Sequence, residues 1–248
     1  MLGALLRAGI DARGLDIRPI SDFAGMPVTN DATQFYDGLQ TLITVVRDIP
    51  QTDQVLQRAL KAPDLKTIII SSTLSPRYVQ ALPSKIPNHL TLIDAPMSGA
   101  EVRAKSGTLS FMLGGEDATL DRYQPLFDAM GAHSHRMGPF GAGMQSKVLN
   151  NLLAASNTMM TRLVLDWADV AGLDEAKLLN LINTSSGQNW MASGFNEIEF
   201  ARKGYTADNS LGILKKDIES ALDAAPDISD KRLPELLADM VHSLKPRP

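Results

Sequence analysis

The run Thr67-Ile68-Ile69-Ile70 constrains the fold more than any other stretch of this sequence. Three consecutive isoleucines present apolar surface on both sides of an extended chain, so the run reads as a strand covered on both faces, as in a parallel sheet flanked by helices. Its neighbours repeat the theme. Further β-rich runs at Gly14 to Ile17, Thr41 to Val46, Thr91 to Ala95, Leu109 to Leu113 and His133 to Arg136 alternate with helix-like stretches at Asp53 to Leu60, Pro76 to Leu82 and Ala118 to Met130. The class implied is α/β. The cluster Gly138-Pro139-Phe140-Gly141-Ala142-Gly143 ends the alternation, and the remainder of the chain is helical in pattern almost throughout. The expected division is an α/β domain over residues 1–139 and an all-α domain over residues 140–248.

A chain of 248 residues, 44% of them hydrophobic, can bury two sizeable cores, which excludes a disordered or fibrous protein. The balance of 24 basic against 28 acidic residues lacks the positive footprint of a nucleic-acid or anionic-membrane binder, and small molecules are the expected partners. No apolar run reaches the roughly 18 residues of a membrane span. The absence of cysteine removes disulfides, thiolate nucleophiles and thiolate metal sites, and suits the cytoplasm. Of the histidines only His133 and His135 are close together; on one face of a strand they read as surface groups, and no metal is expected. The opening Met1-Leu2-Gly3-Ala4-Leu5-Leu6-Arg7-Ala8-Gly9 reads as a helix body stopped by glycine, with no capping residue at its start, so the sequence opens in mid-element.

Open parallel sheets bind ligands beyond the carboxyl ends of their strands. Asp16 stands at such an end, where a carboxylate accepts hydrogen bonds from the ribose of a dinucleotide and repels the extra phosphate of NADP; its plain alternative is a turn carboxylate. Ser71-Ser72-Thr73 follows the isoleucine run and reads either as a ligand-binding turn or as helix capping. In Asp94-Ala95-Pro96-Met97-Ser98-Gly99 the proline and glycine fix a turn that brings backbone close to a small anion around Ser98.

Met144 to Val170 is apolar on most sides, which predicts a helix buried between domains or between subunits. Lys147 lies in its first turns, where a cation gains nothing from the helix dipole, and Asn151 comes one turn later on the same face. A lysine desolvated there would have its pKa lowered into a range useful for proton transfer; the alternative is a solvated surface pair.

Asp94-Ala95-Pro96-Met97-Ser98-Gly99, similar to D-x-P-x-S-G, and Gly141-Ala142-Gly143 with Lys147 and Asn151 after it, similar to G-x-G-x-x-x-K-x-x-x-N, together resemble the β-hydroxyacid dehydrogenases, the family of 3-hydroxyisobutyrate dehydrogenase related to 6-phosphogluconate dehydrogenase. Ser71-Ser72-Thr73 and Lys216-Asp217 look like that family's S-T turn and the K-D of its late helix. The resemblance spans nearly the whole chain. It implies a Rossmann-like domain followed by a helical one, a nicotinamide cofactor (NAD, with NADP the alternative), and oxidation of a small hydroxy acid or its reverse. It also implies roles: Asp16, Ser72 and Thr73 for the cofactor, Ser98, Gly99 and Lys216 for the substrate, and Lys147 and Asn151 for catalysis. A homodimer or homotetramer through the helix at 144–170 is expected as well.

The family's G-x-G-x-x-G, with the strand before it, is missing ahead of Met1, so the first strand of the sheet is expected to be absent. Two other readings stay open. One is a non-catalytic helical interaction protein that has lost its cofactor; the other is an imine reductase-like enzyme, against which Lys147 speaks. Asn189, Trp190, Phe195, Phe200 and Tyr205 are candidate pocket walls, each equally readable as core.

Overall fold

The computed structural model describes residues 1–247, with the side chains of all of them except Ala100 and Glu101. The first elements in chain order are helix α1 (Leu2–Arg7), strands β1 (Gly14–Leu15) and β2 (Val28–Thr29), helix α2 (Ala32–Tyr36), strand β3 (Thr41–Thr44), helix α3 (Ile49–Ala59), strand β4 (Thr67–Ile70) and helix α4 (Pro76–Ala81). Strands β5 (Thr91–Asp94) and β6 (Met97–Ser98), helix α5 (Ala100–Ser106), strand β7 (Leu109–Gly114), helix α6 (Asp117–Met130) and strand β8 (Gly131–Gly138) complete the α/β part. The long helix α7 (Ala142–Val170) then leads to α8 (Glu175–Asn183), α9 (Trp190–Ser193), α10 (Ser210–Asp223) and α11 (Arg232–Ser243). The chain divides into two compact units, Met1–Lys147 and Val148–Pro248, so α7 begins in the first and continues in the second.

In the first unit β3, β4 and β5 run parallel, β7 runs antiparallel to β5 and β6, and β8 lies parallel on the far side of β7. The isoleucine run behaves as its composition demands. Ile68 and Ile70 enter a core with Leu56 and Ala59 of α3 and Val79 of α4, while Ile69 points into the opposite core with Phe111, Leu120, Phe127 and, from α1, Leu5. All three isoleucines are fully buried, each contributing about 1.5–3 kcal/mol by leaving water. Strands β1 and β2 form a separate parallel pair, and no described strand bridges it to β3.

Several elements went unforeseen. α2, β2, β6 and α5 are too short for periodicity to reveal, and α3 starts at Ile49 rather than Asp53 because Asp48 caps it by accepting from the Gln51 N–H while Pro50 sits in the first turn. The second unit builds two cores of its own. Ala155 and Met159 of α7 pack with Leu211, Leu214 and Ile218 of α10 and Leu237 and Val241 of α11; Leu165 packs with Leu179, Met191 and Phe195. Within a single chain α7 is covered on most sides but not on one face, which the expected burial between subunits would have to cover. Leu149, Leu153, Met160, Val164 and Trp167 form an exposed stripe, because the α10–α11 and α8–α9 cores draw on other faces of the helix. A Rossmann-like α/β domain followed by an all-helical one is the architecture.

Candidate active site

The structure gives Asp94 a task that the sequence does not reveal. The last residue of β5 is 0% exposed, and its carboxylate turns toward the start of α7. Oδ1 accepts the Gly141 N–H at 2.7 Å and Oδ2 accepts the Met144 N–H at 2.6 Å, so one carboxylate satisfies two amides at a helix end where donors lack intrahelical partners. Burial pushes the Asp94 pKa up, and the surrounding backbone N–H groups pull against it. The cage is tight: a Cβ on Gly114 would clash with Oδ1, and one on Gly143 would stand 2.8 Å from Oδ2. Glycine is required at both positions by close approach, to the Asp94 carboxylate at Gly114 and to that carboxylate and the Met112 carbonyl at Gly143.

Three residues past Met144, Lys147 is buried at 7% exposure. Four residues past Asp94, Ser98 closes β6 opposite Ser110 of β7. Gly99 takes φ +136, a left-handed conformation open to glycine, as the residue before α5.

The carboxyl ends of the parallel strands carry the remaining candidates of this unit. Asp16 follows β1 and binds Arg18 through the backbone N–H at 3.0 Å and the guanidinium at 3.1 Å, which holds its carboxyl below the usual range. The Arg18 guanidinium lies 4.7 Å from the centre of the Phe23 ring. Ser71 and Ser72 follow β4 and are buried, with Thr73 half-buried beside them. The hydroxyls of Ser71, Ser72 and, at the end of β3, Thr44 have no hydrogen-bond partner among the described residues. Three buried hydroxyls without partners, each costing about 1–3 kcal/mol, at the end of a sheet where ligands bind fit a polar ligand such as the nicotinamide half of a dinucleotide.

In the helical unit a triad forms that sequence spacing could not show. Asn151 Nδ2 donates to Asp217 Oδ2 at 2.5 Å, and Lys216 Nζ lies 3.0 Å from Asp217 Oδ1. The second distance suits an ion pair, although the groups are not aligned for a hydrogen bond. Asp217 is buried, so the two candidates Asn151 and Lys216 are held by one carboxylate. The sequence signal for Asp217 was its place beside Lys216, but its role stayed hidden. The aromatic wall candidates divide. Phe195 is core, Trp190 and Phe200 pack at 6.3 Å, Tyr205 packs on His242 at 4.7 Å, and Asn189 caps α9 through the Ala192 N–H. A cavity of about 210 Å³ in this unit, lined by Asn180, Asn183 and Asn196 among others, contains none of the catalytic candidates. Among the described residues no cluster of three or more histidine, aspartate or glutamate side chains could hold a metal ion, and no helix is long and apolar enough to cross a membrane.

The family model for the NAD-binding domain of 6-phosphogluconate dehydrogenase matches residues 1–138, and that for the NAD-binding part of NADP-dependent 3-hydroxyisobutyrate dehydrogenase matches residues 141–242. The chain belongs to the β-hydroxyacid dehydrogenase family. Members of the family are NAD(P)-dependent oxidoreductases acting on CH–OH groups, and the chain is an oxidoreductase by membership. An L-threonate dehydrogenase of Cupriavidus necator is 30% identical over 234 residues, 90% of this chain and 78% of that protein. A probable mitochondrial 3-hydroxyisobutyrate dehydrogenase of Dictyostelium discoideum is 30% identical over 71% of this chain and 56% of its own length. Among solved structures, 3-hydroxyisobutyrate dehydrogenase of Mycobacterium tuberculosis with L-serine superposes with a TM-score of 0.80 at 25% identity, covering 98% of this chain and 90% of that one.

Proposed function

We propose that the chain transfers a hydride between a small 3-hydroxy acid and NAD, with NADP as the alternative nucleotide and Lys147 as the acid–base group. The burial of Lys147, at 7% exposure in the opening turns of α7, carries this reading. An ammonium or amine is kept from water at a cost, and moving the proton of the reacting hydroxyl is a use that justifies it. In the oxidative direction Lys147 takes the proton from the substrate hydroxyl; in the reductive direction it returns one. Ser98 and the backbone at Gly99 hold the substrate carboxylate. Asn151 orients the reacting oxygen, and Lys216 contributes positive charge, both kept in place within the helical unit by Asp217.

Asp16 takes the adenosine ribose hydroxyls, and Ser72 and Thr73, beside the hydroxyls of Thr44 and Ser71, take the nicotinamide end. When bound, the nicotinamide accepts or supplies the hydride. Residues 1–139 then hold the nucleotide and, through Ser98 and Gly99, the substrate carboxylate, while residues 140–248 supply the acid–base lysine, the other substrate contacts and the subunit contacts. We place the enzyme in the cytoplasm as a homodimer or homotetramer formed through the helix at 144–170.

The test is Lys147→Ala, assayed for nicotinamide reduction with a panel of 3-hydroxy acids and for NAD binding by fluorescence quenching. Loss of turnover by at least about 10³-fold with NAD binding retained is expected. Near-normal turnover would exclude the lysine. A folded protein that binds no nucleotide would favour a non-catalytic role, and reduction of a cyclic imine in place of hydroxy-acid oxidation would favour an imine reductase.

A further inference from the structure

We infer that Asp94 is a positioning residue for this hydride transfer, holding the first turn of α7 so that the backbone delivers Lys147 at a fixed place. The inference rests on the acid–base reading of Lys147. Asp94 belongs to the turn that carries Ser98, yet it is 0% exposed and both its oxygens are directed at backbone amides, at 2.7 Å from Gly141 and 2.6 Å from Met144. It therefore holds protein, not substrate.

The geometry couples two parts of the site. Asp94 ends β5, four residues before Ser98, and the amides it receives belong to the helix end from which Lys147 projects one turn further on. A carboxylate suits this place because it is an acceptor at both oxygens, where an asparagine would turn an NH₂ group toward a backbone N–H. Gly114 and Gly143 leave no room for the group to shift: a Cβ on Gly143 would meet the carbonyl of Met112, Oδ2 of Asp94 at 2.8 Å and the N of Gly114 at 3.0 Å. Displacing the helix start moves the Lys147 amine, and a misplacement on the order of 1 Å in a catalytic group costs about 10²-fold in rate.

The experiment is a double-mutant cycle of Asp94→Asn and Lys147→Ala, read as kcat and KM, together with amide hydrogen exchange at Gly141 and Met144. Asp94→Asn alone is expected to lower kcat about 10²-fold, leave the hydroxy-acid KM and the NAD dissociation constant within about threefold, and speed exchange at both amides. In the Lys147→Ala background the same change is expected to have almost no further effect on the residual rate, since a positioning residue has nothing left to position. An equal loss in both backgrounds would overturn the inference, as a general structural role does that. So would a normal kcat for Asp94→Asn when Lys147→Ala is inactive, a result that leaves the reading of Lys147 standing. A fully active Lys147→Ala would sink both together. If Asp94→Asn does not fold, Asp94→Ser, whose smaller side chain fits the cage and leaves one oxygen for two amides, is expected to lower kcat in the same way; unchanged kcat in that variant would refute the inference.

Discussion

The exposed stripe on α7 predicts self-association, and its strength can be worked from the side chains. Leu153, Met160 and Trp167 stand seven residues apart, with Leu149 and Val164 beside them, the seam of a helix that packs along a partner helix. Leu153 is 64% exposed, Trp167 69%, Leu149 54% and Met160 51%. Covering such half-exposed side chains yields about half of the 1.5–3 kcal/mol of full burial, or about 1 kcal/mol each. A second copy of this chain offers the same stripe, so the gross gain is about 10 kcal/mol against an association cost of about 4–15 kcal/mol. At the low end of that cost the net gain is about 6 kcal/mol, a dimer with a dissociation constant on the order of tens of micromolar. Leu153→Glu occurs twice in a twofold pair: it removes about 1 kcal/mol per copy and buries two carboxylates, so the dimer should weaken by at least about 10³-fold. Sedimentation velocity over a concentration series reads the mass directly, with Ile228→Glu, at a 98% exposed loop position, as the control that leaves it unchanged. A monomeric parent at every concentration, or an unchanged mass for Leu153→Glu, would refute the reasoning.

Asp16→Ala removes a carboxylate at the proposed ribose end and is expected to weaken NAD by about 10–100-fold while narrowing the preference over NADP, as paired KM values for the two nucleotides will show; an unchanged ratio would contradict it. Arg247, whose side chain is 4% exposed, binds Asp166, Asp169 at 2.7 Å and Glu175 at 3.0 Å, with the Leu165 carbonyl at 3.2 Å. The two aspartates are about half exposed and count for little, so Arg247→Ala is expected to cost about 2–3 kcal/mol, chiefly through Glu175 and Leu165, and to lower Tm by about 5–10 °C. Burial pushes the Glu175 carboxyl up, but Arg202 and Arg247 outweigh it and hold the pKa below the usual range. A depressed carboxylate adds stability above its unfolded pKa and loses it as pH falls through the folded value. The gap between the parent and Arg247→Ala should therefore narrow in acid, and calorimetry showing it widen would count against the cluster.

The sheet was legible because Ile68, Ile69 and Ile70 leave no solvent face, a local property that survives any tertiary arrangement. The length of α7 was legible too, from its continuous apolar run. Its exposed seam was not, since composition says that a face is apolar without saying which neighbour covers it. The glycines of Gly141-Ala142-Gly143 stood out in the sequence as a motif, but their reason did not: Gly143 leaves room for the Met112 carbonyl and for a carboxylate 49 residues away in sequence. Asn151 and Asp217 meet across 66 residues, a pairing that no spacing rule reaches. Short elements such as β6 and α5 were hidden because two to seven residues cannot display a period.

A hydride carried from substrate to nicotinamide leaves an isotopic record. A 3-hydroxy acid carrying deuterium on the carbinol carbon is incubated with NAD and the purified chain, and the reduced nucleotide is isolated for mass spectrometry and proton NMR. One deuterium per reduced nicotinamide, on a single face of the ring, is the predicted result, lost together with turnover in Lys147→Ala. No reduced nucleotide from any hydroxy acid, or a reduced nucleotide that carries no deuterium, would contradict the account.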